Sequence, residues 1–230
     1  LLDGRMACLN RRLDDAAALL ELLAGGEPEA LERALDAITS LPQPATCERA
    51  RTDGAALDPA DAGRVEALRP HLARVAALER TGMFSVGLHA ARELVDQTLE
   101  IDYPPLQAEA RLRLASLQRV AAQHEQAEFN YKEALSLALR GGGDAVAAEA
   151  AVALVGLTGR DPARAREAEG WSGVAAALLA RSSAPAIDRA ELLSRRAELL
   201  EASGRYDAAR RPLRDAVALL EESYGDRDVR

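Results

Sequence analysis

Aromatic side chains are scarce in this chain. They make up 3% of its 230 residues, whereas hydrophobic residues as a whole make up 48%. A core with so few rings must be built mainly from alanine, leucine and valine. Alanine and leucine stand near the top of the helix-propensity scale, so the composition predicts an all-α protein. The shortage of rings also argues against a platform on which nucleic-acid bases stack.

Lysine is nearly absent as well, since Lys132 is the only one, and the formal net charge is −8. Proteins that bind nucleic acid normally present a basic face, so we expect no nucleic-acid partner. The many arginines are expected to lie on solvated helix surfaces and to pair with carboxylates. The sequence contains no run of about 18 apolar residues, so we expect no direct membrane insertion by this chain.

Apolar residues recur at helical spacing through most of the sequence, which predicts ten helices separated by glycine and proline. The first two are predicted at 5–24 and 28–40, and a loop from Leu41 to Leu57 follows them. The other eight form four hairpins, predicted at 59–80 with 84–100, 105–121 with 124–140, 144–158 with 163–181, and 187–203 with 206–223. Pro70 and Pro212 fall inside predicted helices, so each should kink its helix or mark a misplaced boundary.

Small residues recur along these hairpins with a nearly fixed period. Alanine pairs seven residues apart follow one another every 41 residues, at Ala127 and Ala134, Ala168 and Ala175, and Ala209 and Ala216. Ala115, Gly156 and Ala197 keep the same period of 41. Seven residues are two helical turns, so both alanines of a pair lie on one face and let a neighbouring helix approach closely. A period of this length indicates stacked repeats, which favours a binding scaffold over an enzyme.

The pattern resembles the tetratricopeptide repeat. That repeat has a small residue midway along its first helix, an aromatic early in the second, and two more small residues after it. The last hairpin fits well, with Ala197, Tyr206, Ala209 and Ala216. The third departs from the pattern, because residues 158–162 end its first helix early, and the period is 40–41 rather than the usual length of about 34. The resemblance covers 64–224. It implies a right-handed solenoid of about four antiparallel hairpins, preceded by an N-terminal helical hairpin.

The segment before the repeats carries a second resemblance. It contains Met6-Ala7-Cys8-Leu9-Asn10-Arg11-Arg12-Leu13, then Leu41-Pro42 and Cys47. This is similar to the segment that precedes the repeats in a group of bacterial serine/threonine protein kinases. The resemblance implies that the chain is the sensing or docking region of such a kinase and binds a protein or peptide. It would lie either in the cytoplasm or beyond a single membrane helix.

These patterns predict three parts. An N-terminal helical hairpin with its loop occupies 1–57, the repeats occupy 58–224, and the start of a further repeat or a disordered tail occupies 225–230. Because the chain begins with Leu1 rather than methionine, we expect it to belong to a longer protein.

The sequence lacks the motifs that a protein kinase domain needs. It has no glycine-rich phosphate loop, no His-Arg-Asp catalytic loop and no Asp-Phe-Gly metal site. Gly141-Gly142-Gly143 lies between two predicted helices without a preceding strand, which is typical of a linker. We therefore expect no catalytic residues and no cofactor. Two distant cysteines without paired histidines also argue against a metal site.

Cys8 and Cys47 are the two cysteines of the chain. If the first two helices form an antiparallel hairpin that turns near residue 26, Cys8 lies opposite residues near 44. A disulfide between the two cysteines is then geometrically allowed, and it would imply an oxidising compartment. Two buried thiols in a cytosolic domain are the alternative, and the sequence leaves both open.

The tetratricopeptide layout also implies a partner-binding groove lined by the first helix of each hairpin. Transferred position by position, this candidate groove contains Arg69, Leu72, Glu79, Glu109, Leu112, Ser116, Arg119, Glu191, Ser194, Glu198 and Glu201. The residues of the last hairpin form an acidic wall that suits a basic or arginine-bearing peptide. An ordinary solvated face is the alternative.

Two other functions remain open on the sequence alone. The repeats or the N-terminal hairpin could mediate self-association. The chain could also be a helical regulatory domain of a transcription factor.

Overall fold

The computed structural model of this protein describes residues 2–49, 57–182 and 184–225, and within these ranges it is helical and contains no strand. The chain divides into two compact units, Leu1–Gly143 and Asp144–Arg230. The first unit contains α1 (Leu2–Ala24), α2 (Pro28–Glu32), α3 (Ala34–Thr39), α4 (Pro59–Arg80), α5 (Phe84–Thr98), α6 (Pro104–Val120) and α7 (His124–Gly141), with a 3-10 helix at Pro44–Arg49. The second contains α8 (Asp144–Thr158), α9 (Ala165–Arg181), α10 (Ala186–Ala202) and α11 (Tyr206–Tyr224), with a 3-10 helix at Pro162–Arg164.

The all-α prediction is confirmed, and the eight hairpin helices begin and end within two residues of their predicted bounds. The predicted helix at 28–40 is wrong, because it is broken at Arg33 into α2 and α3. Arg33 has φ −105° and ψ 9°, outside the α-helical region. The predicted loop after it contains the 3-10 helix Pro44–Arg49. Residues 50–56 of that loop and 226–230 of the predicted tail lie outside the described residues, and the three-part division remains a prediction.

Local signals explain why the helices begin and end where they do. The Asp58 carboxylate accepts a hydrogen bond from the Ala60 amide at 2.9 Å, and Pro59 occupies the first turn of α4. Gly142 closes α7 in the left-handed conformation, with φ 75°. Pro70 and Pro212 lie inside α4 and α11, so neither marks a misplaced boundary.

The N-terminal hairpin is fastened by a disulfide. Cys8 of α1 and Cys47 of the first 3-10 helix are bonded, with Cα atoms 5.6 Å apart, and both side chains are buried. The bond closes a loop across a sequence separation of 39 residues. In the chain-entropy model such a loop stabilises the fold by about 4 kcal/mol. Cys8 and Cys47 are therefore not free thiols in this structure.

Side chains also attach this N-terminal segment to α4 and α5. Leu19 of α1, Ala37 of α3 and Ala77 of α4 form one buried apolar cluster. The Arg33 guanidinium carbon lies 5.4 Å from the centre of the Phe84 ring, which is within cation–π distance. The break at Arg33 therefore places a cation over the start of α5.

Small residues lie where the hairpin helices meet. Ala127, Ala134, Ala168 and Ala175 are fully buried, and Ala209 and Ala216 are 1% and 5% exposed. In the first unit a larger apolar core fills the space between α4, α5 and α6, with Val75, Leu94, Leu106 and Leu117 at its centre. None of the helices within the described residues combines the length and apolar character that crossing a membrane requires.

Gly141, at the end of α7, contacts the start of α6 so closely that no side chain fits. A Cβ at this position would lie 2.8 Å from Cγ and 2.9 Å from Cδ of Pro105, whose ring is rigid. We expect Gly141→Ala to lower the free energy of unfolding by about 1–2 kcal/mol, because overpacking outweighs the better helix propensity of alanine. Urea unfolding followed by circular dichroism measures this.

Gly63 provides the matched control, since it lies in α4 and a Cβ there would meet nothing within 4 Å. Gly63→Ala should therefore raise stability by about 0.5–1 kcal/mol. A Gly141→Ala protein as stable as the wild type would show that α6 and α7 do not approach as closely as described.

Candidate functional site

The predicted groove residues lie on three helices. α4 carries Arg69, Leu72 and Glu79, α6 carries Glu109, Leu112, Ser116 and Arg119, and α10 carries Glu191, Ser194, Glu198 and Glu201. α4 and α6 belong to the first unit and contact each other, whereas α10 belongs to the second and contacts α8.

Arg69 and Glu109 bind each other across α4 and α6. Nη1 of Arg69 lies 2.9 Å from both carboxylate oxygens of Glu109. The two side chains are only 10% and 22% exposed. This ion pair joins equivalent parts of successive first helices and orients one against the other.

Glu79, near the end of α4, accepts hydrogen bonds from two residues of α6. Nη1 of Arg113 lies 3.3 Å from Oε2, and the hydroxyl of Ser116 donates to Oε1. Glu79 and Ser116, both predicted groove residues, are thus brought together. Arg113 was missed by the sequence interpretation, because its spacing of 34 residues from Glu79 does not match the 40–41-residue period of this chain.

Tyr131 of α7 completes this polar cluster from the second helix of the hairpin. Its side chain is 2% exposed, and burial raises the pKa of its phenol, while the charge of Arg119 and hydrogen bonding with Arg119 and Ser116 act in the opposite direction. Arg119 is therefore engaged with a buried hydroxyl rather than extended alone into a groove.

Leu72 and Leu112 are directed into the protein. They are 9% and 2% exposed, and Leu72 belongs to the core of the first unit. Neither side chain presents an open apolar surface to a ligand. On the α4–α6 face the charged groups named above bind one another, so a ligand there would meet paired charges.

The α10 face of the second unit is more open. Arg195 lies between two carboxylates of its own helix, with Nη2 at 3.2 Å from Glu191 and Nη1 at 3.0 Å from Glu198. The Glu191 and Glu198 side chains are 53% and 56% exposed, and Glu201 is exposed one turn further on. The hydroxyl of Ser194 donates to the Ala190 carbonyl at 3.1 Å, within the helix.

Gly156 explains how Arg195 is held. A Cβ on Gly156 of α8 would lie 2.9 Å from Cδ and 3.1 Å from Nε of Arg195. Gly156 keeps the 41-residue period in the irregular third hairpin. It therefore leaves space for the side chain of Arg195 on α10. The nearest atoms that a side chain at Gly156 would meet all belong to the side chain of Arg195.

Asp188, in the first turn of α10, was not predicted as a site residue. Its pKa is raised to about 6, chiefly by burial and further by the negative charges of Glu149 on α8 and Glu191. Spacing of three residues places Asp188 and Glu191 on one helix face, so that pair could have been found in the sequence. Glu149 could not, because it comes from another helix.

The residues brought together are suited to hydrogen bonding and charge recognition. Among residues 2–49, 57–182 and 184–225, no group of three or more histidine, cysteine or acidic side chains is arranged to hold a metal ion. Trp171 is partly buried on α9, and its Nε1 lies 3.4 Å from Glu167.

No protein-family model matches the chain, and no curated protein is significantly similar to it.

The raised pKa of Asp188 makes the stability of the second unit depend on pH. The folded unit holds the proton up to about pH 6, whereas an unfolded aspartate loses it near pH 4. The unfolded chain therefore binds fewer protons between these values, and stability falls as the pH rises through this window. We expect Asp188→Asn to remove this loss and to stabilise the unit by about 1 kcal/mol at pH 7.5, but not at pH 4, after allowance for partial exposure.

Thermal unfolding followed by fluorescence of Trp171, the only tryptophan, measures this effect in the second unit. Asp207→Asn, in the first turn of α11, is the control because that side chain is 99% exposed. Equal effects of Asp188→Asn at both pH values would contradict the prediction.

Proposed function

We propose that this protein is a non-catalytic, protein- or peptide-binding scaffold of stacked helix hairpins, similar to a tetratricopeptide-repeat solenoid. The observation that carries the proposal is the same contact pattern in both units. In the first, α4 packs on α5, α5 on α6, α6 on α7, and α4 on α6. In the second, α8 packs on α9, α9 on α10, α10 on α11, and α8 on α10. Each unit thus contains two consecutive hairpins whose first helices are neighbours, as stacked repeats require.

The burial of the periodic small residues supports the same proposal. Ala115 of α6 is fully buried and Ala197 of α10 is 1% exposed, whereas Gly156, which lies 41 residues from each of them, is half-buried. If the 41-residue spacing were accidental, small residues at equivalent positions of the hairpins would have no reason to be buried between helices. The surface left for a ligand in each unit is then the face shared by neighbouring first helices.

Within this proposal, the α10 face contacts the ligand through charge. Glu191, Glu198 and Glu201 are substantially exposed, and Arg195 offsets only part of their charge. Basic or arginine-bearing peptides complement such a face, and guanidinium groups bind carboxylates through paired hydrogen bonds. The α4–α6 face, where acids and bases already bind one another, contributes shape rather than net charge.

We further propose that the scaffold is the sensing or docking region of a bacterial serine/threonine protein kinase. This rests on the resemblance of the segment around Cys8 and Cys47. The disulfide between them adds support for a location beyond a membrane helix, since such bonds persist in oxidising compartments.

Charge reversal on α10 tests peptide binding. The probe is a fluorescent peptide library with arginine fixed at two positions and the others randomised. We expect Glu201→Lys to weaken binding of the selected peptides about tenfold, because a favourable charge contact becomes repulsive. Glu201 is exposed near the end of α10, where lysine also suits the helix dipole, so the fold should persist.

Glu222→Lys on α11 is the control, since it makes the same charge change on the exposed part of a second helix. Peptides that lose affinity equally in both variants would show general electrostatic attraction instead of a site on α10. Failure to select any peptide would reject the peptide-binding proposal.

The link to a kinase is tested on the full-length protein that contains this chain. We expect it to transfer phosphate from ATP to serine or threonine, and deletion of residues 58–224 to change the rate or the choice of substrate. Radiolabelled ATP with a mixed protein substrate measures both. A full-length protein without phosphotransfer activity would overturn the kinase assignment and leave the scaffold proposal standing.

A further inference from the structure

The outer face of α1 is apolar although it is exposed. We call the residues Met6, Asn10, Leu13, Ala17, Leu20 and Ala24 the outer stripe of α1, and all six are exposed. The three large apolar side chains among them, Met6, Leu13 and Leu20, are 49%, 68% and 63% exposed. A solvated helix would carry charge at these positions. The stripe therefore has the character of a surface that is covered by something else.

The opposite face of α1 fixes this helix in place. Cys8 is disulfide-bonded to Cys47, and Leu19 is buried against Ala37 and Ala77. The outer stripe consequently lies on a helix that is already held on its inner side. A partner would dock on a preformed surface and would not have to order it.

Residues in the stripe alternate at spacings of four and three, which is the seam of a coiled coil. With Met6, Leu13 and Leu20 at the d positions, the a positions are Asn10, Ala17 and Ala24. A single asparagine at a fixes register, because the two amides can bind each other across a parallel dimer. The side-chain amide of Asn10 is thus best hydrogen-bonded by the Asn10 amide of a second copy.

The flanks of the stripe indicate the direction of pairing. One flank carries Asp14 and Glu21, with Arg11 beyond them, and the other carries Leu9 and Ala16, with Arg5 and Arg12 beyond them. In a parallel pair related by a two-fold axis, the acidic residues of one helix lie beside the apolar Leu9 and Ala16 of its mate and away from their own counterparts. In an antiparallel pair the acidic flanks would face each other and repel.

We propose that α1 binds α1 of a second copy of this chain, parallel and in register, along the outer stripe. Each Leu13 packs against the Leu13 of the second copy, and the two Asn10 amides bind each other. The dimer presents two copies of the repeat hairpins, which goes beyond the single-chain scaffold proposed above. The stripe is short and two of its a positions are alanine, so we expect a dissociation constant on the order of 10 µM.

Sedimentation equilibrium of the full chain between about 1 µM and 0.5 mM tests the proposal. We expect a monomer–dimer equilibrium for the wild type. Leu13→Glu should remain monomeric throughout, because it places two carboxylates against each other in an apolar seam. Phe129→Glu is the matched control, since Phe129 is 60% exposed on α7, and it should dimerise like the wild type. A wild-type monomer at the highest concentration, or equal effects of both variants, would overturn the proposal.

Cysteine cross-linking establishes the direction of pairing. Ala17→Cys and Ala24→Cys should each give a disulfide-linked dimer under mild oxidation, whereas Ala208→Cys, an exposed alanine on α11, should not. The two stripe positions are about 10 Å apart along the helix, at 1.5 Å per residue. No antiparallel register brings both against their own counterparts. Cross-linking at one position only would exclude the parallel pair, and cross-linking at neither would exclude the interface.

Discussion

Close approach of helices over small residues is the constraint on which the rest of this structure depends. Alanines such as Ala127 and Ala134 are fully buried at the helix crossings, and Gly141 leaves no space for a side chain against Pro105. Helices that approach this closely have little room between them for rings. This explains why a chain with 3% aromatics can still bury an apolar core. It also ties the repeat period to packing, because a small residue is needed at each equivalent crossing.

Side-chain ion pairs orient the helices that the small residues bring together. Arg69 and Glu109 are 40 residues apart and join α4 to α6, whereas Asp144 and Arg181 are 37 apart and join α8 to α9 within one hairpin. Partly buried arginine–carboxylate pairs are directional and disfavour a slip of one helix along another. In the first unit this leaves the face shared by α4 and α6 internally neutralised. The α10 face of the second unit keeps exposed acid.

The fold class and the helix bounds could be predicted from the sequence because glycine, proline and capping residues act locally. The break at Arg33 could not, since neither glycine nor proline marks it and its partner Phe84 lies 51 residues further along the chain. The candidate groove remains a prediction, because position in a repeat gives the helix of each residue but not the rotation of its side chain. Leu72 and Leu112 are therefore buried, and the proximity of Glu149 to Asp188 depends on packing between α8 and α10.

The choice of arginine over lysine has a consequence for the chemistry of the ion pairs. The cross-helix pairs Arg69–Glu109, Arg113–Glu79 and Arg181–Asp144 all use a guanidinium group. A lysine ammonium begins to lose its proton near pH 10, whereas a guanidinium keeps its charge beyond pH 12. The positive partner of these three contacts therefore stays charged in alkaline solution, and the helices that they join keep this attraction where a lysine would have lost its charge.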